Sequence, residues 1–349
     1  LTGATGFFGA HLLKELLDQG KIQIICLVRN GDKKRLEDVL SWYFGAGWTA
    51  GIRSRIRVAA GDLSLPCLGM EEREWKALAD EVDGIYHSAA DVRHYAADAG
   101  EFMNTNVTGT ETMIALSLQA DAVLHYISTA SISGDFLKDE PEKQMVFTED
   151  DFYIGQNWED NIYIRSKFLA EACIYKAMEE KGLNARVYRL GRITGRCTDH
   201  VFQRNPESNA AYLMMRAVRA LGAITESMSL LPVDLTPVDW CAAAVIALGG
   251  SDRTALHLLN PQPPSMKEVA QVLVPDLVIV PDESYGMLLQ ERMNEENRDI
   301  LAPLLDYYNR TGIGESRIQV DCSKTLETFK KEGFGWEIPP AARLIEGFS

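Results

Sequence analysis

The first 200 residues alternate short apolar runs with stretches of helical periodicity. The apolar or β-branched runs, predicted as strands, are 22–28, 56–60, 82–87, 123–128 and 185–190. The predicted helices between them are 9–20, 32–44, 100–119 and 163–181. Strands that alternate with helices in this way predict an α/β fold with a parallel, doubly wound sheet.

Beyond residue 200 the pattern loosens. Several prolines interrupt it, and two helical stretches, 284–292 and 295–308, indicate a smaller and mainly helical C-terminal lobe. We therefore expect a first domain over 1–200, with 236–260 returning to it, and a substrate-binding lobe over 201–349. The substrate pocket should lie between the sheet edge and this lobe. The stretch 135–158 either lines its entrance or is an ordinary surface excursion.

Composition narrows the classes of function. Of 349 residues, 46% are hydrophobic and 24% charged, which is ordinary for a globular protein. The net charge of −15 argues against nucleic acid or an anionic membrane as partner. No apolar run approaches the about 20 residues that a membrane span requires. The six cysteines are scattered without a CxxC pair, which favours reduced thiols in the cytoplasm over disulfides or a metal site.

The chain begins with a glycine motif, Thr2-Gly3-Ala4-Thr5-Gly6-Phe7-Phe8-Gly9. Such glycines permit a tight turn from strand to helix, a close approach of backbone to phosphate, and close helix packing. The helix N-terminus adds unpaired N–H groups and a favourable dipole for an anion. By itself the motif is also compatible with a plain tight turn. Its position at a strand–helix junction favours a dinucleotide site made by Gly3, Thr5, Gly6, Phe7, Phe8 and Gly9.

The apolar strand that should precede this motif is almost missing, because Leu1 stands directly before it and no initiator Met is present. A dinucleotide-binding fold requires a strand at this point. We therefore expect the sequence to be a piece of a longer polypeptide.

Arg29 follows the apolar run 22–28, where an NAD-selective site would have an acid for the ribose 2′-hydroxyl. A guanidinium instead suits a 2′-phosphate. A solvated charge at a strand end is the alternative. The absence of an acid at this point predicts NADPH as the cofactor.

Further candidate cofactor contacts follow the next strands. Asp62 and Leu63 come after the predicted strand 56–60, near the expected adenine, although an aspartate at this position also fits a helix cap. The small residues Ser88, Ala89 and Ala90 would let the backbone pass close to a cofactor. His87 is better explained as a structural histidine, and Asn106 is either a surface amide or part of the same cofactor site.

The candidate chemistry lies at the end of the predicted strand 123–128 and on the predicted helix 163–181. Ser128 and Thr129 stand at the carboxyl edge, where such sheets bind ligands. Tyr163 and Lys167, four residues apart, share one helix face. Strand-end hydroxyls are usually turn formers, and an isolated YxxxK is usually solvated. Their combination behind a dinucleotide loop points instead to a catalytic set.

These motifs occur in the order found in extended short-chain dehydrogenases/reductases, which the chain resembles over nearly its whole length. The matching phrases are TGATGFFG at 2–9, GDL at 61–63, HSAA at 87–90, NVTGT at 106–110, STAS at 128–131 and YIRSK at 163–167. Within that superfamily it looks most like the thioester reductase domains that end nonribosomal peptide synthetases, polyketide synthases and carboxylic acid reductases. The phrases that carry this narrower resemblance include LVR at 27–29, YIST at 126–129, RLGRITG at 189–195 and TPVD at 236–239. The departures are the shortened first strand and Arg192, where Asn is as common.

The resemblance implies a mechanism. NADPH would deliver hydride to the carbonyl of an acyl or peptidyl thioester, held on the phosphopantetheine of a carrier domain upstream in the same polypeptide. Tyr163 would donate the proton and Thr129 would stabilise the same oxygen. Lys167 would hold the nicotinamide ribose and lower the pKa of Tyr163. Leu190, Gly191 and Ile193 would pass close to the nicotinamide, and the product would be an aldehyde or, after a second reduction, an alcohol.

Two kinds of alternative remain open from the sequence. One is another enzyme on the same scaffold, either a fatty acyl-CoA reductase or a sugar-nucleotide epimerase or dehydratase. The other is a non-catalytic NADP-binding module, although such modules often lose the Tyr or the Lys that this chain keeps. For a carrier domain we expect a local basic or apolar docking patch near the pocket mouth, because carriers and this chain are both acidic.

Overall fold

The computed structural model describes residues 1–92, 99–311, 316–337 and 339–348. Its strands are β1 (Ile24–Val28), β2 (Ile56–Ala60), β3 (Gly84–His87), β4 (Val123–Thr129), β5 (Met145–Phe147), β6 (Ala185–Leu190), β7 (Ile193–Thr194), β8 (Ala223–Thr225), β9 (Thr236–Pro237), β10 (Ala255–Leu258), β11 (Val278–Val280) and β12 (Ile318–Val320). Its α-helices up to residue 200 are α1 (Phe7–Asp18), α2 (Lys33–Phe44), α3 (Ala46–Ile52), α4 (Glu72–Glu81), α5 (Ala99–Met103), α6 (Gly109–Ala120) and α7 (Ile162–Lys181). Those that follow are α8 (Ala210–Leu221), α9 (Glu226–Leu230), α10 (Val238–Ala247), α11 (Met266–Leu273), α12 (Asp282–Arg292), α13 (Arg298–Thr311), α14 (Ser323–Lys331) and α15 (Ala341–Ile345).

The central sheet is parallel, as the alternation of strands and helices predicts. Four strands run in the order β10-β6-β4-β3, and β1 pairs with β2. Thr2 joins the two groups, because it makes parallel bridges to both Leu27 and His87. The first two residues therefore occupy the place between β1 and β3 and complete the sheet order β2-β1-Thr2-β3-β4-β6-β10. The predicted α/β class with a doubly wound sheet is confirmed.

Helices cover both faces of this sheet. On one face α1 packs against α10, and Leu13 and Val245 are among the buried residues there. On the other face α6 and α7 contribute Met113 and Ile174 to a second buried cluster, which includes Leu124 of β4. Strands that are buried on both faces require near-continuous apolar sequence, and this explains why 22–28 and 123–128 lack strict alternation.

The C-terminal lobe has its own apolar core. Met215, Val218, Ile224, Tyr285 and Leu301 are buried together where α8, β8, α12 and α13 meet. The chain also returns to the first layer, because β10 pairs with β6 in parallel. Among the described residues, none of the helices combines the length and the apolar character needed to cross a bilayer.

The stretch 135–158 packs on the outside of α7. Phe152 and Trp158 both stack on Phe168, with ring centroids 4.5 Å and 4.4 Å away. Within this stretch β5 pairs with β12, which fastens it to the C-terminal part of the chain.

Two predicted helices differ from the observed ones in ways that matter for the site. The predicted helix 100–119 is divided, because a π-helical segment, Asn104–Thr108, separates α5 from α6. Such single-turn π segments often occur at functional sites. The helix predicted over 163–181 begins one residue earlier, because the side chain of Asn161 caps it by accepting hydrogen bonds from the backbone N–H groups of Tyr163 and Ile164.

Candidate active site

The glycine motif forms a narrow turn into α1. Gly3 has a φ of +76°, and a Cβ on it would lie 2.7 Å from the backbone nitrogen of Ala89. A Cβ on Gly9 would lie 2.1 Å from the carbonyl oxygen of Gly3, so only glycine fits there. Gly6 is the N-cap of α1 and supplies no side-chain cap. The turn thus presents backbone without side chains at its glycines, together with the N–H groups of the α1 N-terminus, which fits the pyrophosphate of a dinucleotide.

The aromatic residues of the motif connect it to other parts of the fold. Phe8 is buried in the core of the first domain. Phe7 stacks on Tyr43 at 5.9 Å and meets the edge of Phe202 at 5.4 Å, where it borders the core of the C-terminal lobe. Thr5 is half-buried in the turn. The motif therefore lies where the two parts of the chain meet.

Arg29 and Asp62 form an ion pair at the carboxyl ends of β1 and β2. The Arg29 Nε lies 3.2 Å from the Asp62 Oδ2, and the arginine side chain remains 59% exposed. The other carboxylate oxygen of Asp62 accepts hydrogen bonds from the backbone N–H and the hydroxyl of Ser64. These bonds, with a smaller contribution from Arg29, lower the pKa of Asp62. Leu63 beside it is buried and packs on Gly109.

The end of β3 is fixed by Thr2. Its hydroxyl oxygen accepts a hydrogen bond from the backbone N–H of Ala89 and lies 2.8 Å from Nδ1 of His87. The other ring nitrogen of His87 lies 3.2 Å from the Thr110 hydroxyl. Burial lowers the pKa of His87 to about 3, so this histidine is neutral and structural. Ser88, Ala89 and Ala90 follow it and are half-buried.

Asn106 lies in the π-helical segment and is buried. Its side-chain oxygen accepts a hydrogen bond from the backbone N–H of Asp91 at 2.7 Å, and its side-chain nitrogen donates to the Asp91 carbonyl at 2.9 Å. The same nitrogen donates to the Ser166 hydroxyl at 2.8 Å. Because Ser166 directly precedes Lys167, Asn106 fixes α7 to the loop after β3. It is a buried connector and not a surface amide.

Thr129 and Tyr163 meet at the carboxyl end of β4. The Thr129 hydroxyl accepts a hydrogen bond from the backbone N–H of Ser131 at 3.2 Å. A hydrogen bond between the Thr129 and Tyr163 side chains lowers the pKa of Tyr163, but desolvation of this half-buried side chain outweighs it and raises the pKa to about 12. The expectation that Lys167 would lower the pKa of Tyr163 is therefore wrong for the chain alone, because desolvation of the phenolate dominates.

Lys167 points toward the backbone of β4. Its Nζ donates a hydrogen bond to the Ile127 carbonyl at 2.6 Å and lies 4.3 Å from the centre of the Tyr126 ring. Burial lowers the pKa of Lys167 to about 7, and the charge of Glu171 opposes this shift. The lysine is therefore held close to its titration point in the neutral pH range.

Gly191 lies next to the end of β4, because Thr129 pairs in register with Leu190. A Cβ on Gly191 would lie 1.8 Å from the Asp234 Oδ2. That oxygen accepts a hydrogen bond from the backbone N–H of Arg192 at 2.8 Å, while Oδ1 accepts from the N–H of Asn260 at 3.0 Å. Asp234 thus holds the turn between β6 and β7. Ile193, which begins β7, pairs with Thr236.

Comparison with known proteins assigns this arrangement to a family. A family model described as Male sterility protein, an NAD-binding domain, matches residues 1–245. The chain belongs to this family. Among curated relatives, a linear gramicidin synthase protein of Brevibacillus parabrevis is 31% identical over 269 residues, which are 75% of this chain and 5% of the relative. Glycine betaine reductase ATRR of Emericella nidulans is 30% identical over 303 residues, which are 78% of this chain and 22% of the relative. The chain thus spans a small part of these relatives' length.

Solved structures of reductase domains match nearly the whole chain. A thiolation-reductase di-domain from an archaeal nonribosomal peptide synthetase is 28% identical, with a TM-score of 0.84 over 99% of this chain and 74% of that one. The terminal R domain of the myxalamid pathway is also 28% identical, with a TM-score of 0.81 over 99% of this chain and 88% of that one. UDP-glucose 4-epimerase of Thermotoga maritima, at 14% identity and a TM-score of 0.64, shares the fold alone.

These matches confirm the resemblance to terminal thioester reductase domains. They also confirm the expected class, an oxidoreductase with a nicotinamide cofactor. In this member of the male sterility family, the glycine turn and the Thr129–Tyr163–Lys167 set lie along one carboxyl edge of the sheet.

Three charged residues beside this site were not among the sequence candidates: Glu171 and Arg189, which are buried, and Asp234, which is half-buried. Asp234 holds the Gly191 turn, and Glu171 and Arg189 form an ion pair behind β4. The sequence contained one indication that Glu171 belongs to the site, because it follows Lys167 by a single helical turn. It contained none for Asp234 and Arg189, because their partners lie on distant parts of the sequence.

Proposed function

We propose that this domain is an NADPH-dependent reductase that releases an acyl or peptidyl chain from a carrier-bound thioester as an aldehyde. The observation that carries the proposal is the hydrogen bond between Thr129 and Tyr163, with Lys167 one helical turn further along α7. A hydroxyl pair at the carboxyl end of a parallel strand, next to a dinucleotide turn, suits protonation of a carbonyl oxygen during reduction.

The residues that would hold the cofactor are those along this sheet edge. When bound, NADPH supplies the hydride. Gly3, Gly6 and Gly9, with the N-terminus of α1 and the adjoining Thr5, Phe7 and Phe8, would bind the pyrophosphate. Arg29 would bind the 2′-phosphate, for which its exposed guanidinium offers charge-assisted hydrogen bonds. The remaining contacts of this proposed site are Asp62, Leu63, Ser88, Ala89, Ala90, Asn106, Ser128, Tyr163, Lys167, Leu190, Gly191 and Ile193.

Tyr163 would donate the proton to the substrate oxygen. Its raised pKa keeps the phenol protonated throughout the neutral range, so the proton is available at each turnover. Thr129 would hydrogen-bond the same oxygen and stabilise the negative charge that develops there. Lys167 in its charged form would favour the phenolate that remains after proton transfer.

The proposal also includes a carrier domain that presents the substrate and a C-terminal lobe that binds it. A solved relative contains a thiolation domain and a reductase domain together, which supports a phosphopantetheine-bearing carrier in the same polypeptide as this chain. We assign acyl or peptidyl binding to the lobe over 201–349, whose core borders Phe7 of the glycine turn. All six cysteines are free thiols in the structure, which is compatible with a reducing cytoplasmic setting.

The test is incubation of the domain with NADPH and a panel of acyl thioesters on pantetheine, on carrier domain and on coenzyme A, with products identified by mass. We expect aldehyde, or alcohol after a second reduction, from the pantetheine- and carrier-bound substrates, at a rate about 10²-fold lower with Tyr163→Phe. Equal turnover of free acyl-coenzyme A and carrier-bound substrate would instead favour a free acyl-CoA reductase. NADPH binding without reduction of any thioester would favour a non-catalytic module.

A further inference from the structure

Behind the candidate active site lies a fully buried ion pair. Glu171 on α7 and Arg189 on β6 are both 0% exposed. The arginine Nη2 and Nε lie 2.9 Å and 3.1 Å from the same carboxylate oxygen, Oε2. The other oxygen, Oε1, accepts a hydrogen bond from the hydroxyl of Ser128. Buried charges persist in proteins only when they are paired and hydrogen-bonded in this way.

The position of the pair connects it to the catalytic set. Glu171 follows Lys167 by four residues and Tyr163 by eight, which places all three on one face of α7. Ser128 directly precedes Thr129 and pairs in register with Arg189. One carboxylate therefore links the helix that carries Tyr163 and Lys167 to the strand that carries Thr129.

Arg189 is anchored on its other sides as well. Its Nη1 donates to the Asp151 carbonyl at 2.8 Å and lies 3.1 Å from Nε2 of His257. Its Nη2 donates to the Tyr175 hydroxyl at 3.1 Å. Because these partners come from separate parts of the chain, the arginine is a fixed support for the Glu171 carboxylate.

The charge environment of Lys167 depends on the same carboxylate. The titratable groups of the described structure that face the lysine are Tyr163 and Glu171 on its own helix, Tyr126 on β4 and His87 on β3, with Arg189 on β6 behind Glu171. Burial raises the pKa values of both tyrosines and lowers that of His87 to about 3, so these three are uncharged at neutral pH. Glu171 is the group that opposes the lowering of the Lys167 pKa.

We propose that Glu171 is a positioning residue of the active site, which aligns the Thr129 end of β4 through Ser128 and balances the positive charge of Lys167. Arg189 fixes the carboxylate in place. The charge-balancing part concerns the chain by itself, whereas the effect on reduction rests on the proposed function.

The charge-balancing part is tested by NMR titration of Lys167 in the cofactor-free chain, with ¹³Cε-labelled lysine and assignment by Lys167→Met. With Glu171→Gln, two cations remain without their anion, and we expect the Lys167 midpoint to fall by about 1 pH unit or more. Glu149→Gln is the matched control, since Glu149 is also buried but accepts hydrogen bonds from Thr325. An unchanged midpoint in a folded Glu171→Gln variant, or an equal fall in Glu149→Gln, would overturn this part.

Removal of one member of a buried pair can prevent folding, so a second variant tests alignment. Glu171→Asp keeps the charge but is too short to reach Ser128 and Arg189 together. We expect a Lys167 midpoint near that of the unmodified chain, with kcat about tenfold lower because the hydroxyls are displaced. A native kcat in Glu171→Asp would contradict the alignment role, and it decides the proposal if Glu171→Gln does not fold.

Thioester reduction by the unmodified chain and the effects of the Glu171 variants are measured separately. If the unmodified chain reduces no thioester, the proposed function fails, while a shifted Lys167 titration in Glu171→Gln would still support the charge balance. If the chain is active and neither variant changes the titration or kcat, the role of Glu171 fails and the proposed function stands.

Discussion

The Lys167 ammonium nitrogen lies 2.6 Å from the carbonyl oxygen of Ile127 and donates a hydrogen bond to it. This contact fastens α7 to β4 two residues before Thr129. It explains how a lysine whose pKa is lowered by complete burial still has a partner for its charge. In the chain itself Lys167 thus makes a structural hydrogen bond. In the proposed cofactor complex it would bind the nicotinamide ribose.

Tyr163→Phe tests the proton donor. The substitution removes the phenolic hydroxyl and keeps the ring, so we expect kcat for thioester reduction to fall by about 10²-fold or more. NADPH affinity, measured by fluorescence titration, should change little. Tyr153→Phe is the control, because Tyr153 is exposed, and it should retain full activity. Retention of more than half the rate in Tyr163→Phe would exclude the tyrosine as the donor.

Lys167→Met tests the buried charge through stability. The pKa of Lys167 is about 7 in the folded chain and near 10.5 when unfolded. Between these values the unfolded chain binds more protons, so this lysine makes the free energy of unfolding rise with pH, by up to about 1.4 kcal/mol per pH unit. Below pH 7 its contribution is a constant penalty.

Urea unfolding at several pH values measures this effect. Relative to the unmodified chain, Lys167→Met should be most stabilising below pH 7 and should lose that advantage as the pH rises toward 10. The exposed Lys76→Met provides the control and should leave the pH dependence unchanged. A pH-independent difference between Lys167→Met and the unmodified chain would argue against a lowered pKa.

Gly191→Ala tests the turn beside Thr129. The added Cβ would lie 1.8 Å from the Asp234 Oδ2, so either the turn or the carboxylate must shift. We expect a loss of about 1–3 kcal/mol in the free energy of unfolding together with weaker NADPH binding. A Cβ on Gly250 would meet no atom within 4 Å, and Gly250→Ala should have neither effect. Unchanged unfolding in Gly191→Ala would contradict the close contact.

Arg29→Gln tests the choice of cofactor. Loss of the guanidinium should weaken NADPH binding by about tenfold, as expected for a hydrogen bond to a charged group, and leave NADH binding within about twofold. Arg53→Gln is a matched control, because Arg53 is similarly exposed and pairs with Glu37. Equal weakening of both cofactors by Arg29→Gln would mean that Arg29 does not discriminate the 2′-phosphate.

The fold and the candidate pair Tyr163 and Lys167 could be predicted from the sequence, because the patterns that indicate them extend over only a few residues. Apolar runs between helical periods predict a parallel sheet, and the four-residue spacing of Tyr163 and Lys167 fixes a shared helix face. The π-helical segment was not predicted. The weak helix formers of 104–108, Asn-Thr-Asn-Val-Thr, lower the helix propensity but do not specify a bond over five residues. That bond runs from the backbone N–H of Gly109 to the Asn104 carbonyl, and Asn106 within the segment bonds to Asp91 and Ser166.

What the sequence by itself determined is therefore the class of sheet, the glycine turn, and the order in which the candidate catalytic hydroxyls and the lysine follow it. Only the tertiary structure decided the pKa shifts and the ion pairs of the site. It showed that burial raises the pKa of Tyr163 where a neighbouring lysine was expected to lower it, and that Glu171 meets Arg189 behind β4. The physical reason is the distance along the sequence over which each effect acts. Periodicity and helical spacing involve only a few neighbouring residues, whereas desolvation and buried ion pairs depend on groups that only folding brings together.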